Sequence, residues 1–271
     1  MKALIYSGPN VDTCVVMRLL LALPLFILVF ALPLARAEQI KILYLQGSAH
    51  GFVEVTTLDG TRIAVGDLTR GLRGDVVTSR LTMKFLDGSL DDETTVFSQD
   101  RMFHLISDHH VQHGPSFPKP IDVNIDAASG EVTSIDQNGK ITRAHVDMPA
   151  DISNGLTLSI AMNVLPTTPE TRIAIVAGSS KPRLVHLSIK NAGEAPFTLG
   201  GLPRMATDYL VHVEIGGVAG VIAPLVGKEP ADYHLWITTG SDPAFIREEG
   251  QFYEGGPLWR IQQISAAFPS E

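Results

Sequence analysis

Cysteine is almost absent from the 271-residue sequence, because the single Cys14 lies ahead of an apolar run near the N-terminus. One cysteine excludes the intramolecular disulfide framework that small secreted domains use when their core is too small. A chain of this length can bury enough apolar surface to fold without such staples. Cys14 also lies well before the cleavage pattern described below, so we expect no lipid-anchoring cysteine and a free, soluble protein.

Charged residues are scarce, and basic residues are scattered singly. Lys and Arg number 21 against 29 Asp and Glu, which gives a formal net charge of −8. An acidic surface repels the phosphate backbone, so nucleic acid is not an expected partner. Hydrophobic residues make up 45% of the chain, which suffices for a sizeable core but does not indicate a multipass membrane protein.

The longest apolar run, Leu19 to Ala35, has the features of a secretion signal. Arg18 precedes it, and Ala35-Arg36-Ala37 provides a small-x-small cleavage pattern. The alternative, a retained membrane anchor, is disfavoured because the run contains two prolines and falls short of the roughly 20 residues that span a bilayer. We therefore expect no stable transmembrane anchor after cleavage.

This interpretation divides the chain into residues 1–37, a signal peptide, and residues 38–271, a single β-rich domain. Met17 directly precedes Arg18 and is a plausible start, so residues 1–16 are a candidate N-terminal extension. The expected location is the periplasm or the extracellular medium.

From Gly51 onward, short β-prone runs alternate with Gly, Pro, Asp and Asn about every ten residues. In Phe52 to Thr56 and in Val76 to Phe85, apolar and polar residues alternate as in half-buried strands. Asp87-Gly88 predicts a tight turn into the strand Ser89 to Ser98. This spacing is typical of antiparallel meanders.

The same signals predict many further strands. They are Arg101 to Val111, Ile121 to Asp126, Glu131 to Ile135, Lys140 to Val146, Arg172 to Ala177, Arg183 to Lys190, Phe197 to Leu199, Thr207 to Ile215, Ala219 to Leu225, Tyr233 to Thr238 and Leu258 to Ile264. The proline-rich stretch from Gly114 to Pro120 predicts a loop, and Pro243 to Glu248 predicts one helical turn.

One longer helix is predicted between Asp151, a candidate cap, and Leu165, which precedes the stop residue Pro166. Apolar residues recur at four-residue intervals and surround most of the helix, so it should be buried. Antiparallel strands around one buried helix must close or cover their edges. The predicted fold class is therefore mainly β, with an antiparallel curved sheet or incomplete barrel enclosing one buried helix.

The C-terminal third adds a resemblance, carried by Tyr209 to Ile215, Leu235-Trp236-Ile237, Pro243 to Arg247 and Trp259-Arg260-Ile261. In strand order and aromatic placement it resembles uncharacterised bacterial secreted domains related to periplasmic lipoprotein-carrier half-barrels. The resemblance covers about the last 65 residues and transfers no functional residue. It implies an apolar groove and a role in handling lipid or an amphiphilic partner in the cell envelope.

Histidine is the one reactive residue type that clusters, with four residues between His104 and His113. In a regular strand His109 and His113 lie roughly 13 Å apart, at about 3.3 Å per residue, while the neighbours His109 and His110 point to opposite faces. Neither pair can chelate one metal ion without a bend or a ligand from another strand. An exposed polar strand end is therefore favoured over a metal site, and no metal ligand is assigned.

No catalytic motif is complete. Asp91-Asp92-Glu93 could pair carboxylates, but its position near Gly88 favours a solvated turn. Gly178 to Lys181 lacks the serine-nucleophile pattern, and Gly216 to Gly220 lacks a phosphate-binding pattern. We therefore predict no catalytic residue and no cofactor, and an enzymatic role is the less favoured interpretation.

The preferred function is an exported, non-enzymatic β-domain that binds an apolar or amphiphilic ligand, such as a lipid, or an envelope protein. Concave apolar space between the sheet and the helix is the physical motive. The candidate ligand-binding residues are Phe103, Leu158, Met162, Trp236 and Trp259. The alternatives are a metal-binding domain or metal-dependent hydrolase using His104 to His113, and a structural protein-interaction module.

Overall fold

A computed structural model describes residues 40–178, 181–199, 201–214 and 230–264. The predicted signal peptide, Cys14 and the predicted strand Ala219 to Leu225 lie outside the described residues. The export signal and the domain boundary at residue 37 therefore stay predictions.

The described chain forms fourteen strands and one short helix. The strands are β1 (Ala49–Thr57), β2 (Arg62–Arg73), β3 (Val76–Phe85), β4 (Leu90–Ser98), β5 (His104–His113), β6 (Ile121–Asp126), β7 (Glu131–Ile135), β8 (Ile141–His145), β9 (Thr171–Ala177), β10 (Arg183–Leu199), β11 (Leu202–Glu214), β12 (Tyr233–Ile237), β13 (Phe245–Gln251) and β14 (Leu258–Ile264), and the helix is α1 (Thr157–Ala161). The predicted mainly β class is confirmed.

All fourteen strands belong to one antiparallel sheet in the order β8-β7-β6-β5-β4-β3-β2-β1-β14-β13-β12-β11-β10-β9. Neighbours in space are neighbours in sequence, except that β1 pairs with β14, with Phe52 opposite Ile264 and Thr57 opposite Trp259. Among the described strands, β8 and β9 remain at the two edges, so the sheet does not close into a barrel.

One long-range hydrogen bond shows that this sheet is strongly curved. The Gln112 side chain on β5 donates to the carbonyl of Phe252, which directly follows β13, at 2.9 Å. Six strand steps separate β5 from β13, and a flat sheet would place them roughly 29 Å apart at about 4.8 Å per step. The concave face therefore brings the two halves of the sheet together, as the expected curved sheet requires.

The concave face carries the core because apolar residues alternate with polar ones along the strands. In β3, Val77, Met83 and Phe85 are buried while Thr78, Arg80 and Lys84 are exposed. The predicted turn at Asp87-Gly88 joins β3 to β4, and Gly88 adopts a φ of 87°, which favours glycine. Alternation and turn chemistry together fix the register of this hairpin.

The predicted helix from Asp151 to Leu165 is wrong in extent, because only Thr157–Ala161 is helical. Residues before it lie against the edge of β9. Ser153 donates its backbone N–H to Ala174, and the Asn154 side-chain amide both donates to the Val176 carbonyl and accepts from its N–H. Because this amide satisfies the open edge of β9, the stretch forms turns against that edge rather than a helix.

The C-terminal half of the predicted helix also ends early. Asn163 and Val164 make short-range bonds to Ile160 and Ala161, which terminate the helical turn. The Asn163 side-chain oxygen accepts from the backbone N–H groups of Leu43 and Tyr44, which anchors the N-terminal stretch. The apolar residues of the 151–165 segment still join the core cluster, among them Ile152, Leu156, Ile160, Met162 and Val164.

Two other predictions need correction. Pro243 to Glu248 forms no helical turn, because Phe245–Gln251 is the strand β13, paired with β12 and β14. The separate strands Arg183 to Lys190 and Phe197 to Leu199 are one strand, β10, that continues through a bulge at Asn191 to Gly193. Pro196 is tolerated there because, beyond Asn191, β10 pairs only with β11. No helix among the described residues has the length and apolarity needed to cross a membrane.

Candidate functional site

A row of polar side chains crosses the concave face from β2 to β5. Arg70 lies opposite Ser79, Ser79 opposite Thr95, and Thr95 opposite Asp108. These register partners share one face because side chains of directly paired residues point to the same side of a sheet. A concave face is normally apolar, so this row marks a polar interior.

A second set of polar residues lies beside this row on β4 and β5. Glu93 is opposite His110, and Asp91 is opposite Gln112. The Nε2 atom of His110 lies 2.8 Å from Asp91 Oδ1, and Gln112 Nε2 donates to Asp91 Oδ2 at 2.9 Å. Thr95 donates its hydroxyl to Asp108 at 2.9 Å. Buried carboxylates are tolerated only with such hydrogen bonds.

The sequence interpretation of Asp91-Asp92-Glu93 as a solvated turn is wrong. The three residues lie in β4 and alternate between its faces, so Asp91 and Glu93 point to the concave side. Asp92 points outward, where Arg80 donates to it at 2.9 and 2.6 Å. Because side chains alternate along a strand, two of the three consecutive acids face the concave side and one faces outward.

The polar residues border a cavity of about 220 Å³ inside the curved sheet. Its wall combines polar residues with a similar number of apolar ones, which include Val53, Leu68, Leu81, Leu158, Leu235 and Phe245. Arg70, Glu93, Tyr233 and Glu248 also face this space. Protein surrounds the side chains of Glu93, Tyr233 and Glu248. They remain partly accessible to solvent because they face the cavity.

A second cavity of about 200 Å³ adjoins the first. Both spaces are lined by the same five residues, Val53, Leu68, Arg70, Leu158 and Phe245. Surface residues, among them Ala49 and His50, line the second space as well. We call the two spaces together the sheet cavity; its deep end carries the acids, and Arg70 lies where its two parts meet.

Burial shifts the acids of the deep end towards their neutral forms. Burial, followed by the charges of Glu93 and Asp91, raises the pKa of Glu248 to about 7. Burial and the charge of Glu93 raise the pKa of Asp108 to about 8, although Thr95 and His110 oppose the shift. Burial also raises the pKa of Glu93, against the charge of His110. At neutral pH the deep end therefore carries less negative charge than its carboxyl count indicates.

His110 is the cation of this cluster. Burial alone lowers its pKa, but the hydrogen bond with Asp91 and the charges of Glu93, Asp91 and Asp108 raise it to about 9. His110 and Asp91 therefore form an ion pair at neutral pH. Tyr233 stays neutral, because burial and the charge of Glu248 raise the pKa of its hydroxyl well above the usual range.

Arg70 also lines this cavity and has no counterion among the described residues. The side chain as a whole is half-buried; its Nε atom is buried and makes no hydrogen bond, and no ion pair to Arg70 occurs within the described ranges. Burial lowers the pKa of its guanidinium, which nevertheless stays charged because arginine keeps its proton in proteins. Partial burial without a counterion disfavours the charge and therefore favours binding of an anion.

The structure places the five predicted ligand-binding residues in three environments. Leu158 lines both parts of the sheet cavity, and Met162 lines its second part. Phe103 packs against Phe97 in the core, with ring centroids 5.7 Å apart. Trp259 lies among Phe85, Phe117, Phe252 and Tyr253 in a buried aromatic cluster.

Trp236 lies on the opposite face of the sheet from the core cluster. Its ring stacks on His234 with centroids 5.4 Å apart, and the Arg247 guanidinium lies 4.0 Å from the ring centroid. Neither tryptophan nor Phe103 lines the sheet cavity. Ligand contact by these five residues stays a prediction, with Leu158 and Met162 in the position it requires.

The histidines between His104 and His113 do not converge. His109 faces outward, with Nε2 2.9 Å from Asp122, and His110 faces the concave side, as strand alternation predicts. No group of three His, Cys, Asp or Glu residues in the described part of the chain is arranged to hold a metal ion. Ser179, Ser180 and the Gly216 to Gly220 motif lie outside the described residues.

Comparison with known proteins finds similar solved structures but no sequence family. No family model matches the chain, and no curated protein matches it. The chain is similar to a crystal structure described as a beta-barrel-like protein of Domain of Unknown Function DUF1849 from Brucella abortus. The TM-score is 0.45 and the identity 8%, over 82% of this chain and 98% of the other. The resemblance to lipoprotein carriers stays a prediction.

Sequence reasoning missed Arg70, Tyr233 and Glu248 as cavity residues. Tyr233 appeared only as the first residue of a predicted strand, and Glu248 lay in the wrongly predicted helical turn. A signal was present for Arg70, because it follows Ala64, Gly66 and Leu68 at two-residue spacing on the concave face of β2. The sequence of β2 alone does not reveal the cavity that Arg70 faces, because residues of several other strands form it.

Proposed function

We propose that this chain binds an apolar or amphiphilic small molecule in the sheet cavity. The observation that carries the proposal is a cavity in two adjoining parts, of about 220 and 200 Å³, in which apolar side chains lie beside polar and charged ones, as an amphiphilic ligand requires. The volumes of ligand pockets in proteins run from ~300 Å³ upward. The two parts together fall in that range.

Packing energetics support the same proposal. Protein interiors are close-packed, and voids larger than a water molecule are few. A ligand that covers apolar side chains of the cavity removes their surface from water, which contributes about 25 cal/mol per Å². Binding then stabilises the folded state in proportion to ligand occupancy.

The test uses a neutral fluorescent probe, 1-N-phenylnaphthylamine, and a variant that fills the cavity. Leu158→Trp places a larger side chain in both parts of the sheet cavity and should weaken probe binding at least about 10-fold. Leu184→Trp is the matched control, because Leu184 on β10 is 36% exposed and lies outside the cavity. Native mass spectrometry of the unmodified protein should show one bound probe molecule.

Equal probe binding by Leu158→Trp, Leu184→Trp and the unmodified protein would contradict the proposal, provided that urea denaturation shows all three folded. Absence of probe binding to the unmodified protein would contradict it as well. The control separates loss of cavity space from the general effect of an added tryptophan.

A carrier-like role in the cell envelope extends this proposal and depends on export. Its support is the signal-type segment Leu19 to Ala35 and the cleavage pattern at residues 35–37. N-terminal sequencing of protein recovered from the periplasm or medium should begin at Glu38. Recovery of the whole chain in the cytoplasmic fraction would remove the carrier role and leave ligand binding as a separate question.

A further inference from the structure

We propose that Arg70 binds the anionic group of the ligand, a carboxylate or a phosphate, while the apolar part of the ligand lies in the sheet cavity. This inference rests on the proposed ligand-binding function and adds a chemical class to it. The expected ligand is a single-chain anionic amphiphile rather than a neutral or cationic one.

The first observation is the position of Arg70. It is one of five residues shared by the two parts of the sheet cavity, and the other four are apolar. A guanidinium at this junction is the positive charge that a ligand in either part would meet. Arginine is suited to the role because its planar fork binds a carboxylate or phosphate through two parallel hydrogen bonds.

The second observation is that Arg70 has no counterion among the described residues. Its Nε atom is buried without an acceptor, and none of the ion pairs in the described ranges includes it. Partial removal of a guanidinium from water without a counterion is unfavourable. A bound anion would supply the acceptor that the fold leaves out.

The third observation concerns the nearby acids. Glu93 and Glu248 line the first part of the sheet cavity with Arg70, but no ion pair joins either of them to Arg70 in the described part of the chain. Asp108 belongs to the same cross-strand row but lies three strands from Arg70, with Ser79 and Thr95 between them. Three strand steps correspond to roughly 14 Å. Asp108 accepts from Thr95 instead, and Asp91 is engaged by His110 and Gln112.

The experiment compares four ligands that share a ten-carbon chain: decanoate, decyl phosphate, decanol and decyltrimethylammonium. Each displaces 1-N-phenylnaphthylamine from the unmodified protein at pH 7.4. We expect both anions to bind roughly 10- to 100-fold more tightly than decanol, because a charge-assisted hydrogen bond to a half-buried guanidinium contributes that factor. The cation should bind more weakly than decanol.

Three variants assign the effect to one side chain. Arg70→Met removes the charge and keeps the apolar bulk, so decanol affinity should persist while the preference for anions disappears. Arg70→Lys keeps the charge but loses the fork, so the preference should be intermediate. Arg73→Met is the matched control, because Arg73 lies on the same strand but is exposed and outside the cavity. Urea denaturation of each variant confirms that it is folded.

Comparing the carboxylate with the phosphate head group, and each with an ion that lacks the ten-carbon chain, identifies the kind of anion that binds. Tighter binding of decanoate points to fatty acids, and tighter binding of decyl phosphate points to lipid phosphates; either supports the inference. Acetate and inorganic phosphate should bind at least about 100-fold more weakly than their ten-carbon analogues, because they lack the buried chain. Equal affinity of inorganic phosphate and decyl phosphate would overturn the amphiphile assignment.

Failure of the inference is distinguishable from failure of the proposed function. If decanol and the anions bind with the same affinity, and Arg70→Met changes neither, the cavity binds ligands but Arg70 does not select anions. If no ten-carbon ligand displaces the probe and the probe itself does not bind, the ligand-binding function also fails.

Discussion

His110 and Asp91 form a diagonal ion pair on the concave face of the sheet, with His110 Nε2 2.8 Å from Asp91 Oδ1. They are not register partners, because His110 lies opposite Glu93 and Asp91 opposite Gln112. Asp91→Asn should therefore lower the pKa of His110 from about 9, since it removes both the ionic hydrogen bond and a nearby negative charge. Titration of the imidazole resonances by NMR measures this shift.

Asp122→Asn is the control for that titration. Asp122 lies on the outward face, where it contacts His109 at 2.9 Å. Its replacement should leave the titration of His110 unchanged. An unaltered pKa of His110 in Asp91→Asn would show that Asp91 is not its dominant partner.

The free energy of unfolding should fall by on the order of 2–4 kcal/mol between pH 6.5 and pH 9. His110, Asp108 and Glu248 have folded-state pKa values of about 9, 8 and 7, each above the ordinary value. A raised folded-state pKa gives stability that is complete below the unfolded-state pKa and is lost as the pH rises through the folded-state value. All three groups therefore act in the same direction in this window, and urea denaturation at several pH values measures the slope.

Removing two of these groups should flatten that slope. The double variant Asp108→Asn, Glu248→Gln keeps the acceptor for Thr95 but no longer ionises at these positions. Asp126→Asn is the control, because Asp126 is exposed and its pKa is lowered, so it titrates below this window. A stability that rises from pH 6.5 to pH 9 would contradict the assignment of the buried groups.

Gly155→Ala should destabilise the fold by at least about 2 kcal/mol. Gly155 has a φ of 66°, and an added Cβ would lie 1.9 Å from Thr95 Oγ1 and 2.7 Å from Asp108 Oδ1. The comparison is Gly60→Ala, whose φ is 92° but whose Cβ would meet nothing within 4 Å. Gly60→Ala reports backbone strain alone, so equal losses of stability would show that the contact with β4 and β5 is unimportant.

Asn154→Ala should destabilise the protein by about 1–3 kcal/mol, because it removes two hydrogen bonds from one edge strand. The lost bonds are those to the Val176 N–H and carbonyl at 2.8 and 2.9 Å. Hydrogen exchange at the Val176 amide should accelerate more than exchange in β3, which has partners on both sides. Uniform acceleration across the sheet would indicate a global effect instead.

Binding of a permanently charged amphiphile, decyl sulfate, should strengthen as the pH falls from 8 to 6. Glu248 and Arg70 both line the first part of the sheet cavity, and the pKa of Glu248 is about 7. Protonation of Glu248 removes a negative charge that opposes the anion. Glu248→Gln should abolish most of this pH dependence, as measured by probe displacement. A pH dependence that persists in this variant would point to Glu93 as the dominant group.

Strand positions could be predicted from the sequence where residue alternation and turn residues determine them locally. Val76–Phe85, Ile121–Asp126, Glu131–Ile135 and Leu258–Ile264 match their predicted bounds, because alternation and adjacent turn residues specify them without reference to distant partners. The loop from Gly114 to Pro120 follows the same logic, since proline lacks the N–H that a sheet requires.

The 151–165 segment shows where local rules fail. Its apolar periodicity correctly marks residues that are buried, but burial does not require a helix. Asn154 is committed to the edge of β9, and Asn163 to the chain at Leu43 and Tyr44. These long-range polar contacts override helix propensity, and no periodicity in the segment reveals them.

The candidate site was less accessible to sequence reasoning for a related reason. Glu93, Arg70 and Glu248 lie on three different strands, and each alone resembles an ordinary surface residue in the sequence. Their concave placement follows from the register of the curved sheet. Leu158 and Met162 line the sheet cavity, and their apolar character alone made them candidates. Their contact with a ligand stays a prediction.

The pairing of β1 with β14 has a consequence for biosynthesis. Every other pair of neighbouring strands is consecutive in the sequence and can pair as soon as its second strand is synthesised. Strand β1, by contrast, has only β2 beside it until residues 258–264 emerge from the ribosome. Closing that distant pair brings together residues about 200 positions apart in the sequence, which raises the contact order and should slow folding. A circular permutant that links Ile264 to Ile40, keeps the stretch anchored by Asn163 and opens the chain between β8 and β9 would convert the same sheet into an uninterrupted meander. It should fold faster at similar stability.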